Sequence, residues 1–514
     1  LNSTQFPRGG VVEFVLAGDE VDETSMQVLS EASSFPSEMD VDGETLRTIL
    51  GLLNGPRITN DAWILSASVE DVDDQTIALS IAVGPNPNPL VELDELRRDL
   101  YTRVGANPAL KAKISIDQPR IRRVATTIAP VDGFSWATLQ PVAPVNPVEL
   151  DPTTLDGSDT WSITNGLVDI VIDPVNGTFS INGIAGFGQL VDEGDLGDSY
   201  NYSPPAGDQL IDTPTSVVVS PIHRGPIRAS VKITATYEWP SHVDATRNRR
   251  TGSVEGVVTT IVEIKADDEA VHVTTSFSNP ARDHRLRIHL PLPVPALTSV
   301  AECAFGAVER GLTAEGRPDE LGLATAPSRR FVQAGGLTVV HEGLNEYELV
   351  DRNDDETEAG TLALTLLRST GMLSRLGMKY RPFPAGPLTP VEGLQMVGSV
   401  ITARYSIAFG EVDPWVFTDN VLQPLDVLHA EGGGHRQATG SALAVSGAII
   451  SSIRRSDGLI ELRCFNPTSE ATSVNFGTAR GWEVNLRGEP LRQFDGALDL
   501  GAFKFTTVRL TEER

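Results

Sequence analysis

The densest run of chemically capable side chains lies between Glu193 and Pro205, in the segment EGDLGDSYNYSPP. Carboxylates, an amide and two phenols in so short a span suit a sugar. Carboxylates accept hydrogen bonds from hydroxyls, and tyrosine offers both a donor and a flat apolar face. This segment is the strongest candidate site in the chain, although a solvated loop with glycine turns has the same composition. Hydrolysis by Asp195 and Asp198 themselves is not expected. A retaining glycosidase site holds two carboxyls about 5 to 5.5 Å apart, normally brought from different elements, and nothing else in the sequence completes one.

Other constellations fail on spacing. His284 and His289 lie an odd number of residues apart on one expected strand, which sends their rings to opposite faces. The other six of the eight histidines are scattered, and no Cys-x-x-Cys pair accompanies them; a metal site within the chain is not expected. The glycine string from Gly183 to Gly188 has strands upstream and no helical stripe after it, unlike a dinucleotide-binding turn. No Gly-x-Ser-x-Gly elbow leads into a helix, so a serine hydrolase reading has no anchor.

The elements that must position the candidate segment are strands. Ile227, Ala229, Val231, Ile233, Ala235 and Tyr237 alternate with Arg228, Ser230, Lys232, Thr234, Thr236 and Glu238, the period of a half-buried strand. The pattern recurs at Val271 to Phe277, Leu286 to Leu290 and Ile401 to Phe409, which predicts a large antiparallel sandwich. Helical spacing occurs early, at Leu46, Ile49, Leu50 and Leu53 and at Leu93, Leu96, Leu100 and Val104. Strands over Trp63 to Val69 and Thr76 to Val83, joined by a turn at Glu70 to Asp74, lie between those helices. The expected division is an α+β or β unit over 1–150, a large β-sandwich over 151–412, a Pro- and Gly-bearing linker over 413–434 and a small terminal β-sandwich over 435–514. In the last, Asp457-Gly458 signals a hairpin turn.

The bulk numbers exclude more than they assert. A chain of 514 residues outgrows a single core. A formal charge of −28, from 41 basic against 69 acidic residues, repels phosphate backbones and anionic lipid surfaces. Neither nucleic acid nor a membrane is an expected partner, whereas a homo-oligomer is compatible with the sequence. Cys303 and Cys464 sit in apolar runs, the usage of small buried hydrophobes rather than of a disulfide framework, and a cytoplasmic location is expected. No run of eighteen apolar residues and no basic-then-apolar leader occurs. The opening on Leu1, running within a few residues into Val11 to Leu16, reads as a cut rather than a beginning.

Gly194 to Pro204, after the turn DPVNGT at 173–178, resembles the G-D-x-G-x-x-Y-x-x-x-P block of the family 38 glycoside hydrolases, the α-mannosidases. Three further stretches agree in order: Leu1-Asn2 through Arg8 is similar to the family's N-P-x-x-x-x-R strand with Ser3 in place of proline, Arg285 to Pro291 to the strand after its D-H-R turn, and Leu362 to Arg368 to its L-x-L-L-R strand.

The resemblance implies a mainly β region, a supersandwich of the galactose mutarotase-like kind flanked by smaller domains. It also implies a retaining α-mannosidase acting on terminal α-mannosides, whose aspartate nucleophile, aspartate acid/base and zinc sit on an upstream catalytic domain of the same polypeptide. On that implication this chain holds neither the zinc nor a catalytic residue. Tyr200 matches the family tyrosine that reaches the bound sugar; Asp195 and Asp198 would shape its loop, and Arg368 is a further candidate arm toward the substrate. Two other classes stay open: a stand-alone carbohydrate-binding protein and an assembly module without catalysis.

Overall fold

The computed structural model describes residues 1–514 except 19–20, 33–35, 53–54, 60–61, 89–90, 313, 429–436 and 512–514. The chain is mainly β and its sheets are almost wholly antiparallel. The alternating pattern succeeded because each such strand has one face on a core. In Arg228–Trp239, Ala229, Val231, Ile233, Ala235 and Tyr237 are all buried.

The central unit packs a nine-stranded sheet against two five-stranded sheets. The middle of the large sheet runs Arg228–Trp239, Val254–Lys265, Val271–Ser278, Val400–Phe409, Leu337–His341. One of the smaller sheets runs Gln189–Gly194, His284–Ala296, Ala359–Ser369, Glu346–Arg352. A single apolar cluster joins them, from Val231 and Ile233 to Leu286, Ile288, Leu364 and Tyr405. Gly194 pairs with His284, and His284 with Ser369. One strand end, one strand start and another strand end therefore converge at one edge, and the connections leaving that edge carry the candidate segment.

The N-terminal region mixes helices and strands. Helix α1 (Gly43–Leu52) and helix α2 (Leu93–Ala106) cover a five-stranded sheet through Leu46, Leu50, Leu100 and Val104; Leu53 of the first stripe lies outside the described residues. Thr76–Gly84 and Lys111–Asp117 pair in parallel across α2, as a crossover helix requires. The acidic run expected to turn instead stays in strand Ala62–Asp73, exposed, and the chain reverses only at Asp74-Gln75.

The segment expected to link the last two units is partly a helix, α3 (Pro414–Leu422). Proline fits the first helical turn, where its missing N–H has no partner to lose. Asp413 caps α3 by accepting from the N–H groups of Trp415 and Val416. Trp415 and Phe417 bury against the outer face of the large sheet, with Trp415 edge-on to Phe331 and Phe465. Arg8 closes the far end by donating to the carbonyls of Asp419, Gln423 and Pro424. Gly432 to Gly434 lie outside the described residues. The last unit is one five-stranded sheet with its own core around Leu462, Cys464, Phe476 and Val508. Asp457 and Gly458 both take positive φ in its hairpin turn. Both cysteines are free, and burial pushes the Cys464 thiol up to about 12. Among the described residues no helix is long and apolar enough to cross a membrane.

His341 ties stability to pH. It is fully buried; its Nε2 meets Ser328 Oγ at 2.8 Å, its Nδ1 has no partner among the described residues, and burial holds its pKa down at about 4. The unfolded chain therefore takes up a proton near pH 6.5 that the folded chain refuses until about 4, so stability falls as pH drops through that window. His289, lowered to about 4 by burial and by Arg287, adds to the same slope. Urea midpoints of the chain should fall from pH 7 to pH 4.5, and His341→Gln should flatten the slope by up to roughly 3 kcal/mol. An unchanged slope would remove His341 from this role.

Candidate functional site

The loop leaving Gln189–Gly194 is built inward. Gly194 and Gly197 are required by close approach: a Cβ on Gly194 would lie 2.7 Å from Pro205, and one on Gly197 would lie 2.0 Å from the Asn201 carbonyl oxygen. Between them Asp195 is fully buried. It accepts from the N–H groups of Gly197 (2.8 Å) and Ser203 (3.1 Å) on one oxygen and from Arg368 Nε (2.9 Å) on the other. Asp198, also fully buried, accepts from the N–H groups of Tyr200 and Asn201, both at 3.0 Å, from that of Arg375 at 2.8 Å, and from the Arg381 guanidinium. Asn201 Oδ1 accepts from Arg381 Nε at 2.8 Å, and Ser203 Oγ accepts from the Lys379 N–H at 3.0 Å.

Beneath the loop lies a second layer of buried charge. Glu193 accepts from Arg285 Nε at 2.6 Å and from the Tyr202 hydroxyl at 3.1 Å, and Arg287 Nε stands 2.8 Å away. The Arg285 guanidinium lies 3.6 Å from the centroid of the Tyr202 ring. Asp192 bonds His284 Nδ1 at 2.5 Å and pairs with Arg250, and His284 Nε2 meets Asn279 Oδ1 at 2.9 Å. Burial, reinforced by Glu193, pushes the Tyr202 phenol far up, so it remains a hydrogen-bond donor.

The two loop aspartates are driven in opposite directions. Burial lifts Asp195 above the ordinary carboxylate range against the pull of Arg368 and the N–H groups of Ser203 and Gly197. Burial also opposes the charge on Asp198, but the N–H of Asn201, the Arg381 guanidinium and the N–H groups of Arg375 and Tyr200 outweigh it and hold that carboxyl low. Neither carboxylate faces solvent.

The structure thus brings all four sequence candidates together but gives them unlike tasks. Asp195 and Asp198 fold the loop from within. Arg368, read as a further arm toward a substrate, donates to Asp195 and, at 3.1 Å, to the carbonyl of Asp198; it clamps the loop. Among the described aromatic and charged residues of the loop from Glu193 to Ser203, Tyr200 alone is open, 55% exposed. Its ring lies 5.8 Å from the Arg381 guanidinium. Arg250 and Arg381 are the residues that reading the sequence missed; isolated arginines in polar loops carry no signal of burial. Among the described residues no group of three His, Cys, Asp or Glu side chains could hold a metal ion.

No family model matches the chain. It is similar to a putative mannosylglycerate hydrolase of Halalkalibacterium halodurans, 25% identical over 236 residues that make up 40% of this chain and 25% of that protein. Its fold is similar to that of an α-mannosidase from Enterococcus faecalis V583, with a TM-score of 0.63 and 17% identity, over 99% of this chain and 55% of the other. A second Enterococcus faecalis structure, a protein in glycosyl hydrolase family 38, gives a TM-score of 0.63 at 18% identity over 99% and 57%. The chain therefore spans a quarter of the curated relative and little more than half of the structures it matches. The family whose motifs it resembles is the family whose structures share its fold.

The division between clamp and open tyrosine is measurable. Arg381→Met leaves Asp198 charged and buried without its guanidinium and should destabilise the chain by about 3–5 kcal/mol, with Asp198→Asn in the same chain restoring part. Tyr200→Ala should stay within about 0.5 kcal/mol of the parent. Urea unfolding of the variants checks this; a Tyr200→Ala cost equal to that of Arg381→Met would make the tyrosine structural.

Proposed function

We propose that this chain is the β-rich portion of a retaining α-mannosidase of glycoside hydrolase family 38 and that it completes an active site carried by an upstream catalytic domain. The observation that carries the proposal is Tyr200: an exposed phenol on a loop whose carboxylates are all turned inward and paired. The shared fold and the order of motifs support the family; the pinned loop supports the role.

In this reading the aspartate nucleophile, the aspartate acid/base and zinc belong to the upstream domain. When bound there, zinc would orient and polarise hydroxyls of the mannose. No step is assigned to a metal on this chain, whose described residues offer it no ligand set. Tyr200 meets the substrate from the opposite side. Its hydroxyl exchanges a hydrogen bond with a sugar hydroxyl, and its ring covers an apolar face of the pyranose. Asp198 fixes it by binding the backbone N–H groups of Tyr200 and Asn201, so little ordering entropy remains to be lost when sugar arrives. Terminal α-mannosides are the proposed substrates, and mannosylglycerate is one to try because of the relative's name.

Aryl α-mannoside hydrolysis should be followed for the polypeptide that joins this chain to its upstream domain and for residues 1–514 alone. The joined protein should turn over with retention of anomeric configuration and lose activity to a zinc chelator, while 1–514 alone should be inactive. Full activity of 1–514 alone would overturn the proposal, and mannose binding with no hydrolysis by the joined protein would favour a stand-alone binding role. In the joined protein Tyr200→Phe should lower kcat/KM about tenfold, the equivalent of one net hydrogen bond of about 1.4 kcal/mol. Unchanged kinetics would remove Tyr200 from the site.

A further inference from the structure

The connection from Ala359–Ser369 to Val400–Phe409 covers residues 370–399 and contains only a short turn of helix, Glu392–Gln395. Connections of that length in a compact domain usually have a function. This one combines inward-facing polar groups with outward-facing apolar ones. Several of its polar groups point inward: Ser374, fully buried, accepts from the N–H groups of Ala385 and Gly386, Arg381 pairs with Asp198, and Gln395 donates to Asp283 at 2.7 Å. Several of its large apolar side chains point outward, with Leu376 59%, Phe383 65% and Leu388 54% exposed, while Met378 is buried. Single exposed hydrophobes are ordinary on a protein surface, but several on one rigidly anchored loop mark an interaction surface.

A groove of about 910 Å³ runs between this loop, the stretch from Leu196 to Ala206 and the turn at Ala245 to Asn248. Leu196, Pro205, Met372, Met378 and Leu388 line it, with Arg375 and Lys379 also on its wall. Arg375 Nε is shielded from solvent and has no hydrogen-bond partner among the described residues, a buried donor left unsatisfied. Basic groups here contrast with a chain whose formal charge is −28.

We propose that the outer side of residues 370–399, with this groove, is a docking surface whose occupant is the upstream catalytic domain of the same polypeptide, presenting apolar side chains flanked by at least one acidic group. The proposal rests on the reading that such a domain exists. Two observations select that occupant. The α-mannosidase that shares this fold has nearly half its chain outside the match, a length comparable to that of the shared scaffold. The surface is also continuous with the open tyrosine: a Cβ on Gly386 would lie 3.5 Å from the Tyr200 hydroxyl, and Ser199 is hydrogen-bonded to the Met372 and Leu373 carbonyls. A body seated on the loop would therefore reach the phenol as well.

The test uses the joined polypeptide carrying Leu376→Asp and Phe383→Asp together, with Val218→Asp, 63% exposed on the edge strand Ser216–Arg224, as control. Calorimetry and limited proteolysis at the junction are the readouts, neither of which needs substrate. The parent and the control should unfold in one coupled transition. The docking variant should separate into two transitions and be cut at the junction at least tenfold faster, while the same pair of substitutions in residues 1–514 leaves their own melting unchanged. Parent-like unfolding and cutting of the variant would overturn the proposal. So would loss of a parent dimer, seen by sedimentation, without faster cutting, because the occupant would then be a second copy. Uncoupling in a joined protein that hydrolyses no mannoside would keep the docking surface and refute the enzymatic reading.

Discussion

Four carboxylates within seven residues of chain, Asp192, Glu193, Asp195 and Asp198, are removed from solvent, and each is met by an arginine from a different part of the sequence. Arg250 comes from a hairpin, Arg285 from the neighbouring strand, Arg368 from the strand beyond it, and Arg381 from the long loop after that. Buried pairs of this kind gain little over well-packed apolar residues, because desolvation cancels most of the attraction; losing one partner is what costs several kcal/mol. The consequence is registration rather than net stability. None of the four segments can shift without stranding a charge. The three-strand junction at Gly194, His284 and Ser369, the loop above it and residues 370–399 therefore move as one body or not at all.

That constraint also decides what the sequence could and could not tell. Strands were legible because antiparallel elements with one buried face alternate with period two, and the Ala229 to Tyr237 face is buried as expected. The candidate segment was legible by composition and by order of motifs. The direction of its side chains was not. A carboxylate in a glycine-rich stretch looks like an exposed acceptor until its partner is known, and Arg381 lies 183 residues from Asp198. The glycines held the available clue, since Gly194 and Gly197 flank Asp195 where backbone and side chains approach too closely for a Cβ. Elsewhere the error ran the other way. Pro414 was read as a break, yet proline at a first helical turn starts helices, and Trp415 and Phe417 right after it were the apolar signal of a packed element.

Carboxyl groups displaced from their ordinary range usually direct attention to chemistry, and a pair displaced in opposite senses suggests an acid and a base. Asp195 and Asp198 meet that description and still cannot serve, because access is missing. Their oxygens face backbone N–H groups and arginines, and no face of either is open to a substrate. Their displacement records the conflict between burial and pairing that holds the loop. The side chain that escapes this conflict is the exposed Tyr200 phenol. Such a group can hold, stack and orient; on the proposed reading the bond-breaking groups belong to the upstream domain. A loop pinned by two buried ion pairs of its own, above two more on the strand that leads into it, presents one tyrosine beside a groove lined by Leu196, Pro205, Met372, Met378 and Leu388; on the proposed reading it is half of a site, rigid and chemically passive.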